Sequence, residues 1–109
     1  MVYLATHEVG FDDVAIGFPF LGDCMGVVVV GSEGLCGWHV MPGHSGRTFQ
    51  FLSFINSHVS AAFTHLYFNF NSARRFIQEP WHLEAAFVAE HLGYHGAIKG
   101  FDISNILLF

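Results

Sequence analysis

The sequence predicts an α+β domain: a layered α/β sandwich with a mostly antiparallel sheet, a β-hairpin bearing a cysteine and a histidine, and two helices. Three observations carry this expectation. A β-branched run, Val27 to Val30, meets a glycine-rich turn and a second apolar run, Leu35 to Met41. Two segments, one after Ser45 and one after Pro80, space apolar residues with a helical period. Strand-like stretches stand around them, giving the order strand, hairpin, helix, strand, helix, strand. At 109 residues the chain reads as one domain, 1–109, and its 13 phenylalanines predict an aromatic core.

Each element follows from local chemistry. Val2 to Ala5 has the length of a short strand. Phe11 to Phe20 is Asp-rich, then apolar, then interrupted by Pro19, which reads as an edge strand ending in a loop because proline lacks the N–H that a central strand donates. The hairpin comes next, its turn within Gly31 to Gly34 and its second strand stopped by Pro42-Gly43. Ser45 or Gly46 opens a helix in which Phe49, Leu52, Phe54, Ile55 and Val59 approximate a 3.6-residue spacing, ending near Ser60. Leu66, Phe68 and Phe70 alternate against His65, Tyr67 and Asn69, the pattern of a strand with two unequal faces. Asn71-Ser72 caps a short turn and leaves Arg74-Arg75 exposed. Pro80 starts a helix over Trp81 to Leu92 whose faces are marked by Leu83, Ala86, Phe87 and Glu90, and Gly93 stops it. His95 to Ile103 is a further strand, and Ile106 to Phe109 adds a last strand or tucks under the sheet.

Turn length decides what the hairpin presents. A two-residue turn at Gly31-Ser32 sets Cys24 directly opposite His39. A four-residue loop through Gly34 sets Cys24 opposite Met41, with His39 as its diagonal neighbour. In both registers Cys24 and His39 share one face, because side chains alternate with period two. Cys36 and Trp38 share the other. A three-residue loop would separate Cys24 from His39. Direct neighbours have Cβ atoms roughly 4.5–5.5 Å apart and diagonal ones about 7–8 Å, within reach of a thiol and an imidazole. Cys36 does not reach Cys24 across the sheet, so no disulfide is expected, and Cys36 reads as a small buried hydrophobe.

Composition narrows the partners. The net charge is −5 with four basic residues, which argues against nucleic acid. No apolar run approaches the roughly 18 residues of a membrane span. The N-terminus lacks the basic start and apolar block of a secretory signal. The expected location is therefore cytoplasmic, or export without a cleavable signal peptide into a target cell. Only 12% of residues are charged, against about 25% on average, so part of the surface is expected to meet a substrate protein, another chain or a second copy in a homodimer.

Cysteine attacks as the thiolate, and a nearby histidine can take its proton and later deliver one to a leaving amine. Gly22 and Gly26 flank Cys24, leaving room for a substrate. The N–H groups of the bend from Gly22 through Asp23 to Cys24 are candidates for holding an oxyanion. Asp23 itself is expected to point outward. Read from two residues alone, Cys24 is a packed core thiol and His39 a structural histidine.

The wider pattern tips the reading. Gly22-Asp23-Cys24-Met25-Gly26, the valine strand, the glycine turn and Trp38-His39-Val40-Met41-Pro42-Gly43 resemble the chemoreceptor glutamine deamidases, with their Gly-Ser-Cys strand and His-x-Met-(Leu)-Pro-Gly segment. A similar Cys–His hairpin occurs in the glutamine deamidase toxins of the cytotoxic-necrotizing-factor and lethal-factor families. The resemblance covers about residues 17–44. It implies hydrolysis of protein glutamine side chains by Cys24 and His39 through a thioester, with no cofactor, on a protein carrying a reactive glutamine. The chain departs from the pattern at Asp23, where Ser or Gly is usual. It also offers no side chain for the third element that orients the histidine, so a backbone carbonyl near Phe18 is expected in that role. Met41 and His44 are expected at the substrate rim. Two alternatives remain: a non-enzymatic, aromatic-rich interaction module, and a thiol-redox sensor based on Cys24.

Other chemistries find less. The eight histidines include no helical i, i+4 pair with an acidic ligand, so no metal site is expected. Neither a phosphate loop nor a serine nucleophile elbow is present.

Overall fold

A computed structural model describes residues 1–59, 62–72 and 81–103. Among them, seven strands in two sheets and two helices form an α+β domain. In chain order the strands are β1 (Val2–Tyr3), β2 (Val9–Asp12), β3 (Ile16–Gly17), β4 (Met25–Val30), β5 (Leu35–Val40), β6 (His65–Phe70) and β7 (Ile98–Asp102). The helices are α1 (Thr48–Asn56), entered through a 3-10 turn at Ser45–Arg47, and α2 (Trp81–Leu92). The larger sheet runs β2-β5-β4-β6-β7. Its pairs are antiparallel except β6 with β7, which are parallel. That pair is separated in sequence by α2, and parallel neighbours need a crossover of this kind.

Period-two alternation gives this sheet two unlike faces. One carries Val27, Val29, Cys36, Trp38, Val40, Leu66 and Phe68, all buried in the core. The helices supply the matching layer. Phe51 and Ile55, four apart, come from α1, and Ala85, Val88, Ala89 and Leu92 from α2. Leu83, Ala86, Phe87 and Glu90 lie on the exposed side of α2, so its core stripe is the alanine-rich one. On the opposite sheet face, glycines stand at Gly10, Gly26 and Gly37, and the small parallel pair β1–β3 lies over part of it. A Cβ at Gly10 would come within 2.6 Å of Leu4 Cδ2, and one at Gly37 within 2.8 Å of Leu4 Cδ1 and 2.9 Å of Ile16. The glycines thus admit a close second layer.

Several boundaries differ from the sequence expectation, each for a local reason. The edge strand is β2, not a run from Phe11 to Phe20. Asp12 Oδ2 accepts the N–H groups of Val14 and Ala15, both at 2.8 Å, and turns the chain. Helix α1 ends at Asn56 rather than near Ser60, where Ser57 Oγ donates to the Phe54 carbonyl. Strand β7 is shorter than His95 to Ile103. Arg74, Arg75, Pro80, Ser60 and Ile106 to Phe109 lie outside the described residues. No described helix is long and apolar enough to cross a membrane.

Candidate active site

The hairpin adopts the four-residue register: Val30 pairs Leu35, Val27 pairs Trp38, Gly26 pairs His39 and Met25 pairs Val40. Cys24 immediately precedes β4. Extended by one residue, the register puts it opposite Met41 and diagonal to His39, on the same face. Cys36 and Trp38 occupy the helix-facing side. Burial pushes the Cys36 thiol up from 9.0 to about 11, with the Glu33 carboxylate adding to the effect. Neither cysteine is in a disulfide.

His39 is 0% exposed and held from several directions. Its backbone N–H donates to the Glu8 carbonyl at 3.0 Å, and its carbonyl accepts from His7 N–H at 2.8 Å. Its ring nitrogen Nδ1 lies 2.8 Å from the Leu4 carbonyl. A carbonyl can only accept, so Nδ1 carries a proton, and in the neutral ring Nε2 is then the nitrogen with the lone pair. The orienting carbonyl therefore belongs to Leu4, which corrects the expectation of Phe18. Leu4 reaches this position because Gly10 and Gly37 leave room for its side chain. Glycines inside strand patterns were the available sequence signal, since they mark close approach of another segment.

Phe18 acts through its ring instead. It covers Gly26, where a Cβ would come within 2.7 Å of Cδ2. It meets the His39 imidazole edge to face, with centroids 6.0 Å apart. Gly26 thus makes room for Phe18, not for an open mouth, whereas nothing lies within 4 Å of a Cβ at Gly43.

The approach to Cys24 is a tight turn. Phe20 has φ 56 and Gly22 φ 52, both left-handed, and Cys24 N–H donates to the Leu21 carbonyl at 2.7 Å. The Cys24 amide is therefore engaged within the turn. That narrows the expected oxyanion donors to Gly22 and Asp23, whose N–H groups have no acceptor among the described residues. Asp23 is exposed, as strand alternation suggested.

The two rim residues part company. Met41 is half-buried on the Cys24 side of the hairpin. His44 lines a separate cavity with Trp38 and Val40, which belong to the helix-facing side. The Pro42-Gly43 turn, with Gly43 at φ 79, carries the chain past the end of the sheet, and His44 lines the helix-side cavity rather than the rim of the Cys24 site.

Chemically, the arrangement offers a thiol, a histidine with Nδ1 fixed as a donor and diagonal to that thiol in the extended register, and the N–H groups of Gly22 and Asp23 just before the thiol in sequence. His39 Nε2 is buried and makes no hydrogen bond, to Cys24 or to any other described residue. An unmatched buried polar group of this kind costs about 1–3 kcal/mol. Catalytic hydrogen bonds are often long in unliganded enzymes and tighten in the complex. Among the described residues, no three His, Cys, Asp or Glu side chains gather into a metal-binding group. No family model, curated protein or solved structure matches the chain.

Proposed function

We propose that this domain is a cysteine hydrolase that deamidates glutamine side chains of proteins. One observation carries the reading: an inward-facing, unpartnered His39 Nε2 whose ring is locked by Leu4, on the face that Cys24 shares. A purely structural histidine would be expected to satisfy both ring nitrogens. The resemblance over residues 17–44 supplies the choice of glutamine.

The reaction runs in two halves. His39 Nε2 takes the Cys24 proton, and the thiolate attacks the glutamine Cδ. The N–H groups of Gly22 and Asp23 hold the oxyanion. As the C–N bond breaks, the His39 imidazolium gives its proton to the departing ammonia, leaving a thioester. Water, deprotonated at Nε2, attacks that thioester and gives glutamate, and the proton returns to the thiolate. The balance is glutamine plus water to glutamate plus ammonia, and no cofactor enters.

Cys24 is 6% exposed, so the substrate must displace cover to reach it. A glutamine side chain is long and unbranched enough for a recessed thiol. Asparagine, one methylene shorter, holds its amide carbon outside the near-attack distance of about 3–3.5 Å. Phe20, 97% exposed and four residues before Cys24, is an apolar contact for a protein acceptor. A thiol nucleophile suits a reducing cytoplasm, that of the producing cell or of a target cell.

The test is mass spectrometry of candidate acceptor proteins incubated with the wild type and with Cys24→Ser. Gln-to-Glu conversion with the wild type alone supports the reading. The exposed Tyr3, Val14 and Phe20 favour an interaction module as the second reading. Absence of ammonia release across a wide panel, with stoichiometric and Cys24-independent binding of one member or of a second copy, would establish it. An oxidisable Cys24 with no ammonia release would mark a redox sensor.

A further inference from the structure

On the other side of the hairpin lies a cavity of ≈ 140 Å³ that the proposed chemistry does not use. Its apolar wall includes Trp38 and Phe51, and its polar groups are His7, His44, Arg47 and Gln50. The volume exceeds that of a single water several-fold. We infer that this cavity is a binding site for a small oxyanion of the phosphate class, held by His7, His44 and Arg47.

Four observations support it. The cationic and imidazole groups converge on one space that no carboxylate lines among the described residues. This concentration stands out in a chain with four Lys and Arg against nine Asp and Glu. Arg47 makes no ion pair among the described residues, so its guanidinium remains available for fork-like contact with an oxyanion. His44 lines the cavity, and its ring has no hydrogen-bond partner at Nδ1 among the described residues. His7 adopts the left-handed φ of 73, unusual for a residue with a Cβ, and its ring stacks on His44 at 5.4 Å.

The backbone fixes all three groups. His7 N–H is tied to the His39 carbonyl, His44 N–H to Met41 and Arg47 N–H to His44. The main chain that carries the three side chains is thus held in place, which lowers part of the ordering cost of binding. Gln50 adds an amide, and the Trp38–Phe51 wall offers an apolar surface to an organic phosphate. The site does not depend on the chemistry at Cys24.

The experiment is a titration of the full chain with inorganic phosphate, and separately with phenyl phosphate, followed through the imidazole C–H resonances of all eight histidines. Saturable shifts at His7 and His44, with one shared Kd of about millimolar or tighter and with His58 and His91 unmoved, are expected. Tighter binding of phenyl phosphate identifies an organic ligand using the apolar wall, and equal binding identifies free phosphate. Arg47→Ala should weaken either ligand about tenfold, while His58→Ala should not. Non-saturating shifts, equal shifts at all histidines, or unchanged affinity in a folded Arg47→Ala protein would overturn the proposal. If Arg47→Ala does not fold, the wild-type titration alone decides.

Discussion

The two faces of one hairpin differ in kind. On the helix side, Val27, Val29, Cys36, Trp38 and Val40 meet apolar partners, and a thiol there is raised towards inertness. On the other side, Gly26, Gly37 and His39 meet Phe18, Ile16 and Leu4, and a buried nitrogen is left unmatched. The same hairpin therefore holds one cysteine as packing, while another, just before its first strand, falls by extension of the register on the face of His39. Adjacent positions differ so much because each step along a strand changes the layer a side chain meets. Stability resides mainly on the first face. The proposed chemistry resides on the second, held there by a thin two-stranded arm.

The largest expected effect lies at His39. With an acceptor in hand, His39→Ala should reduce deamidation by about 10²–10⁴-fold, the usual contribution of a positioned acid–base group. It should also slow alkylation of Cys24 by iodoacetamide near neutral pH and leave Cys36 equally unreactive. Equal alkylation rates at the two cysteines would erase the distinction between the faces. Next comes the helix side. Phe51 is fully buried beside Trp38, with ring centroids 5.4 Å apart. Phe51→Ala should lower unfolding free energy by about 3–5 kcal/mol, read by denaturant titration. The folded fraction should keep the His39 environment, seen as an unchanged imidazole resonance.

Substitution at Gly37 tests whether the arm holds the histidine. An added methyl group meets Leu4 and Ile16 at under 3.0 Å. Gly37→Ala should lift Leu4, lengthen the Leu4 carbonyl to His39 Nδ1 contact and reduce activity about tenfold. The accompanying stability loss should be about 1–3 kcal/mol, typical of overpacking. Gly46→Ala, with nothing within 4 Å of the new methyl, is the matched control and should change neither quantity. Loss of stability with full activity in Gly37→Ala would show that Leu4 does not position His39.

What the sequence could and could not disclose divides along the same line. The helix side was legible because burial repeats: the valines of β4, the alternation of β6 and the span Trp81–Leu92 all follow local period. Cys24 and His39 sharing a face was legible because two of three plausible turn lengths preserve parity. Leu4 was not legible, since its carbonyl meets a ring 35 residues away and every residue has a carbonyl. The position of His44 was not either, because a proline-glycine turn with positive φ reverses which layer the next residues join. Which face of α2 turns inward was not legible, because Leu83 and Phe87 are more apolar than Ala85 and Ala89, while the core layer takes the small residues.

The smallest effect belongs to the anchor of the arm. Asp12 accepts N–H groups from Ala15 and Val14, and the Met1 ammonium stands 3.0 Å from its other oxygen. These contacts lower its pKa from 3.8 to about 2, the backbone donors contributing most. A carboxyl with a depressed folded-state pKa stabilises the fold above its ordinary value. That contribution fades as pH falls from about 4 towards 2, because protonation removes the charge that the N–H groups favour. Asp12→Asn should therefore lower the thermal midpoint slightly at neutral pH and flatten its dependence between about pH 4 and 2. It should also loosen the turn into β3, so the His39 resonance should broaden while the core aromatic resonances do not. A variant whose acid dependence matches the wild type would mean that this carboxylate does not hold the arm. The layer over Gly10 and Gly37 would then depend on Leu4 and Ile16 packing alone.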